Sequence, residues 1–244
     1  MEQRETGKRN SFRHIRAEGE LMNETLDDAF PGPSTAEGPD DSFLRPRQLA
    51  NHWVRPDVRA YYWYLTFENS PDLQSFVRKC QEVISFPYYD LIPPGSLHLT
   101  LDRIAFEGEI TSDQLRAIEA AAIGACVDIA PFGIAVGNLG GTSSAIGFSA
   151  SPKELIRRVR DALREATISS YPSAPVKDSE FHPHITIAYC NSDNVPVNRV
   201  VAAMEKLSSL PSVQVDIQES ALVLLERRQQ TYSWQAISRI PLSG

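Results

Sequence analysis

Cysteine is scarce: the 244 residues hold three, Cys80, Cys126 and Cys190, with no CxxC pair among them. Such usage argues against a disulfide scaffold and fits a reducing compartment. No stretch carries the ~20 apolar residues that a transmembrane helix requires. The basic opening MEQRETGKRNSFRHIRAEGE has no apolar run behind it, so neither an export signal nor an anchor is expected. A cytoplasmic location without a membrane partner is the matching expectation. Positive charge is in deficit as well, 24 Lys+Arg against 31 Asp+Glu for a formal charge of -7. A field of that sign repels polyanions, so any nucleic-acid substrate has to be held locally.

The chain is 42% hydrophobic and 9% aromatic, enough for one sizeable core or two small lobes that share one. Residues 1–47 are polar and mixed in charge, with the patch PGPSTAEGPDD, and they read as a disordered extension. Within them Leu21, Leu26 and Phe30 share a face if Glu20 to Phe30 forms a short helix. The texture changes from Asn51 onward, so the expected folded domain is 48–244. AYYWYLTF reads as a strand. SPDLQSFVRKCQEVI reads as a helix with Ser70 as N-cap and Pro71 in the first turn, burying Leu73, Phe76, Val77, Cys80 and Ile84. A strand through SLHLTLDRIAF, a helix through TSDQLRAIEAAAIGACV, and strands FGIAVGNL and SSAIGFSA about a Gly-Gly turn come next. A second group repeats the theme: the helix PKELIRRVRDALREAT with Leu155, Ile156, Val159 and Leu163 on one face, the strand FHPHITIAYC, and the helix VNRVVAAMEKLSSL. VQVDIQESALVLLE and YSWQAISRIPL close the chain as a hairpin about ERRQQ.

Two segments share one grammar, Leu97-His98-Leu99-Thr100-Leu101 and Pro183-His184-Ile185-Thr186-Ile187. Strand alternation sends His98 and Thr100 to one face and the leucines to the other, and does the same for His184 and Thr186. One HxT is weak evidence; two, in corresponding positions of similar halves, point to a site. Imidazole exchanges protons near neutral pH because its unperturbed pKa is about 6.5. Two histidines flanking a phosphorus can therefore divide the base and acid roles, and threonine hydroxyls can hold the non-bridging oxygens. This scheme requires neither metal nor cofactor.

The paired HLT and HIT frames, together with NHWVRPD, YYWYLTF and YSWQAISRIPL, resemble the two-histidine (2H) phosphoesterases, and within them the bacterial 2′-5′ RNA ligase family. The resemblance spans about Asn51 to Leu242. It implies an α+β fold of two lobes, each an antiparallel sheet with outer helices, related by a pseudo-twofold axis about a central cleft. It implies His98 and His184 as catalytic residues, Thr100 and Thr186 as phosphate-binding ones, and a nucleotide or RNA end bearing a cyclic phosphate or phosphodiester as the partner of a monomeric enzyme. Many family members carry a basic residue after the second motif, where this chain has Ala188-Tyr189.

Several neighbours stay open on sequence. Asp102 alternates onto the His98 face and either orients an imidazole or caps the cleft edge. His182 shares the His184 face; with His98 it makes a candidate zinc triad, although no HExxH frame accompanies it. Tyr62 and Tyr64 are expected on the cleft side, opposite Trp63, Leu65 and Phe67, and with Tyr189, Tyr232 and Trp234 they are candidates for substrate stacking. Cys190 falls on the site rim by alternation but reads as structural. GNLGGTSSAIG fits a hairpin rather than a phosphate loop, and RRVRDALR a solvated helix face. A non-catalytic nucleotide-binding module is the contrasting function.

Overall fold

The computed structural model describes residues 48–54, 57–176 and 181–244; the extension and its candidate helix over Glu20 to Phe30 lie outside them. Strands are β1 (Gln48–Leu49), β2 (Val58–Thr66), β3 (Tyr89–Leu91), β4 (His98–Phe106), β5 (Phe132–Gly141), β6 (Ala145–Ser151), β7 (His184–Cys190), β8 (Val195–Pro196), β9 (Val213–Ile217), β10 (Glu219–Arg228) and β11 (Thr231–Pro241). Helices are α1 (Pro71–Val83), α2 (Ser112–Cys126), α3 (Lys153–Ser170) and α4 (Asn198–Glu205). The described strands pair antiparallel in two main sheets, ordered β11-β10-β2-β4 and β3-β7-β6-β5-β9, and a small β1-β8 ladder. β4 and β7, the two HxT strands, approach each other where the sheets meet. This is the expected two-sheet α+β fold.

The sequence pattern explains the layers. Leu73, Val77, Cys80 and Ile84 repeat at helical spacing along α1 and are fully buried, and α1 backs the five-stranded sheet through β7 and β9. Thr111 caps α2, accepting the Gln114 N–H at 3.3 Å while the Gln114 side chain returns to the Thr111 N–H, a reciprocal box that satisfies two otherwise orphaned donors. α2 and α3 pack together and back the four-stranded sheet. Trp63, Leu65 and Phe67 point to that helical side and are fully buried, while Tyr62 and Tyr64 join Ala60, Val223 and Leu225 in a second cluster on the opposite face.

Some boundaries differ from the sequence reading. Gly140 and Gly141 pair within β5; the turn is 142–144. VQVDIQESALVLLE is two strands, since the chain leaves one sheet at Gln218 and enters the other. The closing hairpin turns on Gln229 and Gln230, with Gln229 at φ 51°. On α3, Leu155 is exposed, and of RRVRDALR only Arg157, Arg158 and Asp161 are exposed: Arg160 is buried and Arg164 half-buried. The three cysteines are buried free thiols. No helix among the described residues is long and apolar enough to cross a membrane.

Candidate active site

His98 and His184 stand at the first positions of β4 and β7, and their rings are anchored identically. His98 Nδ1 lies 2.9 Å from the Ser96 carbonyl oxygen and His184 Nδ1 lies 2.8 Å from that of His182. A carbonyl only accepts, so Nδ1 carries the proton in each ring and Nε2 is the nitrogen that can exchange protons with a ligand. The Tyr64 ring stacks on His98 at 4.2 Å and 8°, and Trp234 Nε1 donates to the same Ser96 oxygen at 3.2 Å. Burial pushes the His98 pKa down to about 4, and nearby His184 adds to the fall against the opposing Ser96 bond. Tyr64 is hydrogen-bonded to Thr100 and Tyr189 to Thr186, and burial raises both phenols well above their usual range.

Each motif carries a bulge just after its threonine, and this breaks the alternation. Tyr64 pairs with Thr100 but Trp63 with Asp102, leaving Leu101 as the extra residue; Gly147 pairs with Thr186 but Ile146 with Ala188, leaving Ile187 extra. A side chain from the helix behind supplies each bulged carbonyl with a donor: Arg160 Nε reaches the Leu101 oxygen at 3.1 Å, and Gln81 Nε2 the Ile187 oxygen at 3.0 Å and the Ile92 oxygen at 2.7 Å. At Ile187 the Gln81 amide adds to the Ile92 N–H, which donates to the same carbonyl at 2.9 Å, and both side chains satisfy carbonyls in a buried setting. Gln81→Leu is accordingly expected to lower stability by about 1–3 kcal/mol, read as a shift of the urea midpoint.

The bulges correct two sequence expectations. Asp102 neither orients an imidazole nor caps the cleft; it faces α3, where Arg164 grips it with Nε at 2.7 Å and Nη2 at 2.9 Å and Arg160 lies at 3.4 Å. Cys190 is not at the rim but in the main core, its thiol donating to the Ser192 carbonyl. The residues that take their places on the cleft face are Arg103, paired with Tyr62, and Tyr189. Among the described residues no three His, Cys, Asp or Glu side chains cluster to hold a metal, so His98, His182 and His184 do not form the zinc triad.

A cavity of about 570 Å³ opens beside His98. His98, Tyr189, Tyr232 and Trp234 line it, and Tyr62, Tyr64, His182 and His184 do not. Tyr62 and Tyr64 are 3% and 2% exposed, and Tyr64 turns a ring face to His98. Sequence reasoning assigned no role to several further lining residues: Trp53, Asp90, Ser96, Gln229 and Gln230. Trp53 Nε1 donates to Asp90 at 2.8 Å, and the Arg227 guanidinium lies 5.5 Å from the Trp53 ring and donates to its carbonyl at 2.8 Å. His52 stacks on Tyr189 at 4.0 Å and hydrogen-bonds the Tyr232 hydroxyl at 2.9 Å. The only sequence signal for this wall was the aromatic texture of NHWVRPD.

Two antiparallel sheets that meet at strands each opening on an HxT motif are the arrangement of the two-histidine phosphoesterase class. The family model described as the 2′-5′ RNA ligase superfamily matches residues 69–230, more than half of the chain, and the chain belongs to that family. Solved structures bear out the fold. TT0787 of Thermus thermophilus superposes with a TM-score of 0.58 at 21% identity over 76% of this chain and 98% of its own. E. coli LigT complexed with 3′-AMP gives 0.58 at 15% identity over 77% and 99%, and LigT in apo form 0.56 at 14% over 78% and 100%. No curated protein matches the sequence.

Proposed function

We propose that this protein is a metal-independent phosphodiesterase that opens a 2′,3′-cyclic phosphate, or cleaves a 2′-5′ phosphodiester, of a nucleotide or RNA end. The observation that carries the reading is the matched pair of histidines, each held by Nδ1 on the carbonyl two residues before it, which makes Nε2 the proton-exchanging nitrogen. The identical anchoring gives each ring the same competent nitrogen. We assign the base role to His98, which burial favours in its neutral form, and the acid role to His184.

Water attacks phosphorus as His98 Nε2 takes its proton; the bond to the ribose oxygen breaks as His184 Nε2 protonates that oxygen. Thr100 and Thr186 donate to the non-bridging oxygens, oriented by Tyr64 and Tyr189. Tyr232, Trp234 and Trp53 wall the cavity beside His98 with aromatic surface suited to a base, while Tyr62 and Tyr64 act from beneath. LigT is recorded in complexes with 3′-AMP, ATP and NADP+, which supports a nucleotide as the ligand class. His182 contributes its carbonyl to the site.

The test is product formation from 2′,3′-cyclic nucleotides, a cyclic-phosphate-ended RNA and 2′-5′-linked dinucleotides in EDTA. Turnover of any supports the reading. Saturable binding with no product from any of them moves the protein to the binding-module class.

The pH dependence checks the role assignment. With His98 as base, the acid limb of kcat/KM should fall near pH 4 rather than at the usual imidazole value of about 6.5. A midpoint at or above 6 contradicts it. Stability follows the same group: between about 6.5 and 4 the unfolded His98 binds a proton that the folded one resists, so its contribution is present above 6.5 and lost as pH falls to 4.

A further inference from the structure

The two sheets meet at the site, and one short segment touches both. Residues 48–54 precede the span 69–230 that the family model matches. Gln48 and Leu49 pair with β8, Leu49 sinks into the main core, and the Ala50 N–H donates to the Ser143 carbonyl at 2.9 Å. The Asn51 N–H donates to Asp193 Oδ1 at 2.9 Å. The Asn51 side chain in turn accepts the Trp53 N–H at 2.8 Å, which sets the single 3-10 turn over His52–Val54. These bonds fix the segment along the half of the molecule that carries β7.

The turn then reaches across. The His52 ring stacks on Tyr189 of β7, centroids 4.0 Å apart and planes at 23°, and its Nε2 is hydrogen-bonded to the hydroxyl of Tyr232 on β11 at 2.9 Å. Trp53 is divided in the same way: its indole N–H donates to Asp90 on β3 at 2.8 Å, and its carbonyl accepts from Arg227 on β10 at 2.8 Å. Trp53, Tyr189 and Tyr232 all line the cavity beside His98, with ring centroids 5.2 to 5.3 Å apart. His52, 7% exposed, does not line it and packs against all three. Tyr189 is in turn hydrogen-bonded to Thr186, so direct contacts run from Tyr232 through His52 and Tyr189 to the threonine of the second motif.

We propose that His52 is a positioning residue for this site: its ring holds Tyr232 of one sheet and Tyr189 of the other, and so fixes both the aromatic walls of the cavity and the hydroxyl that orients Thr186. β7 and β11 belong to different sheets and share no ladder, so side chains have to set the spacing of Tyr189 and Tyr232. His52 joins them through a stack on one and a hydrogen bond to the other, contacts that favour a single ring placement in a buried setting. The inference rests on the phosphodiesterase reading for its substrate, and nucleotide binding tests it separately.

The experiment uses the full chain and its His52→Ala, His52→Phe, Tyr232→Phe and His52→Phe/Tyr232→Phe variants. It measures calorimetric affinity for adenosine 3′-monophosphate, kcat and KM for whichever cyclic nucleotide the wild type accepts, and the urea midpoint. His52→Phe keeps a ring on Tyr189 and gives up the Tyr232 bond, so it and Tyr232→Phe should each weaken nucleotide affinity about two- to tenfold, the range of one hydrogen bond. The double variant should be no weaker than the poorer single. His52→Ala, with neither stack nor bond, should lose roughly ten- to a hundredfold in kcat/KM, divided between a raised KM from loosened walls and a lowered kcat from a loosened Thr186. Nucleotide affinity within about twofold of wild type in His52→Ala overturns the proposal whatever the urea midpoint does, because a structural histidine moves the midpoint alone. Additive losses in the double variant overturn it as well, and that cycle carries the test by itself where His52→Ala does not fold. Wild-type chain that binds nucleotide in a His52-dependent way yet turns nothing over upholds His52 and removes the phosphodiesterase reading; wild-type chain that binds no nucleotide contradicts both.

Discussion

Replacing His98 or His184 by Ala is expected to lower kcat roughly a hundred- to ten-thousandfold, the span that general acid-base groups contribute. The loss should fall on kcat more than on KM, because in the proposed mechanism both imidazoles act on protons in flight while the aromatic wall and the threonines remain to bind the ligand. The double variant should be little worse than the poorer single one, since groups that act as a unit are not additive. The two singles should differ in their pH profiles. On the proposed roles, His98→Ala removes the acid limb that burial places near pH 4, whereas His184→Ala removes the proton donor to the leaving oxygen. Near-normal turnover in both singles would remove the two-histidine mechanism altogether.

The second large effect is on stability. Asp102→Ala should destabilise the fold by about 3–5 kcal/mol, the usual consequence of removing one partner from a buried ion pair. Asp102 is 8% exposed and Arg160 7%, and Arg164 reaches the carboxylate through two bonds. The same Arg160 satisfies the bulged Leu101 carbonyl and lies 4.4 Å from the Phe181 ring centroid, three residues before His184. Losing the carboxylate therefore loosens a cation that touches the first motif strand and the segment leading into the second. Chemical denaturation at pH 7 measures it: a midpoint shift with unchanged slope is the expected outcome, and a change under about 1 kcal/mol would show that solvent replaces the carboxylate.

The contrast between Asp102 and Thr100 shows how far the sequence carried. Alternation placed His98 and Thr100, His184 and Thr186, and the split of Tyr62 and Tyr64 from Trp63 and Leu65, because apolar patterning on a half-buried strand specifies its faces strongly. It failed one residue beyond each threonine. A bulge depends on the partner strand and on a donor from a distant helix, here Arg160 and Gln81, and neither leaves a mark in the local pattern. Hence alternation puts Asp102 and Cys190 on the opposite face from the one they occupy, although Cys190 is structural as its sequence setting implies.

The helices and the hairpin at Gln229 were legible because caps, helical spacing and turn residues are local signals. The passage from β9 to β10 at Gln218 was not, since one continuous apolar run serves two sheets. The cavity wall was harder still. Trp53, Asp90 and Gln229 come from three separate segments, and only the fold brings them beside His98.

The most direct test of the central claim is to follow 2′,3′-cyclic nucleotide hydrolysis by phosphorus NMR in EDTA, with wild type beside the His98→Ala/His184→Ala double variant. The account predicts a nucleoside monophosphate product from the wild type and none above background from the double variant. Product formed at equal rates by both proteins, or abolished in the wild type by the chelator, would contradict it.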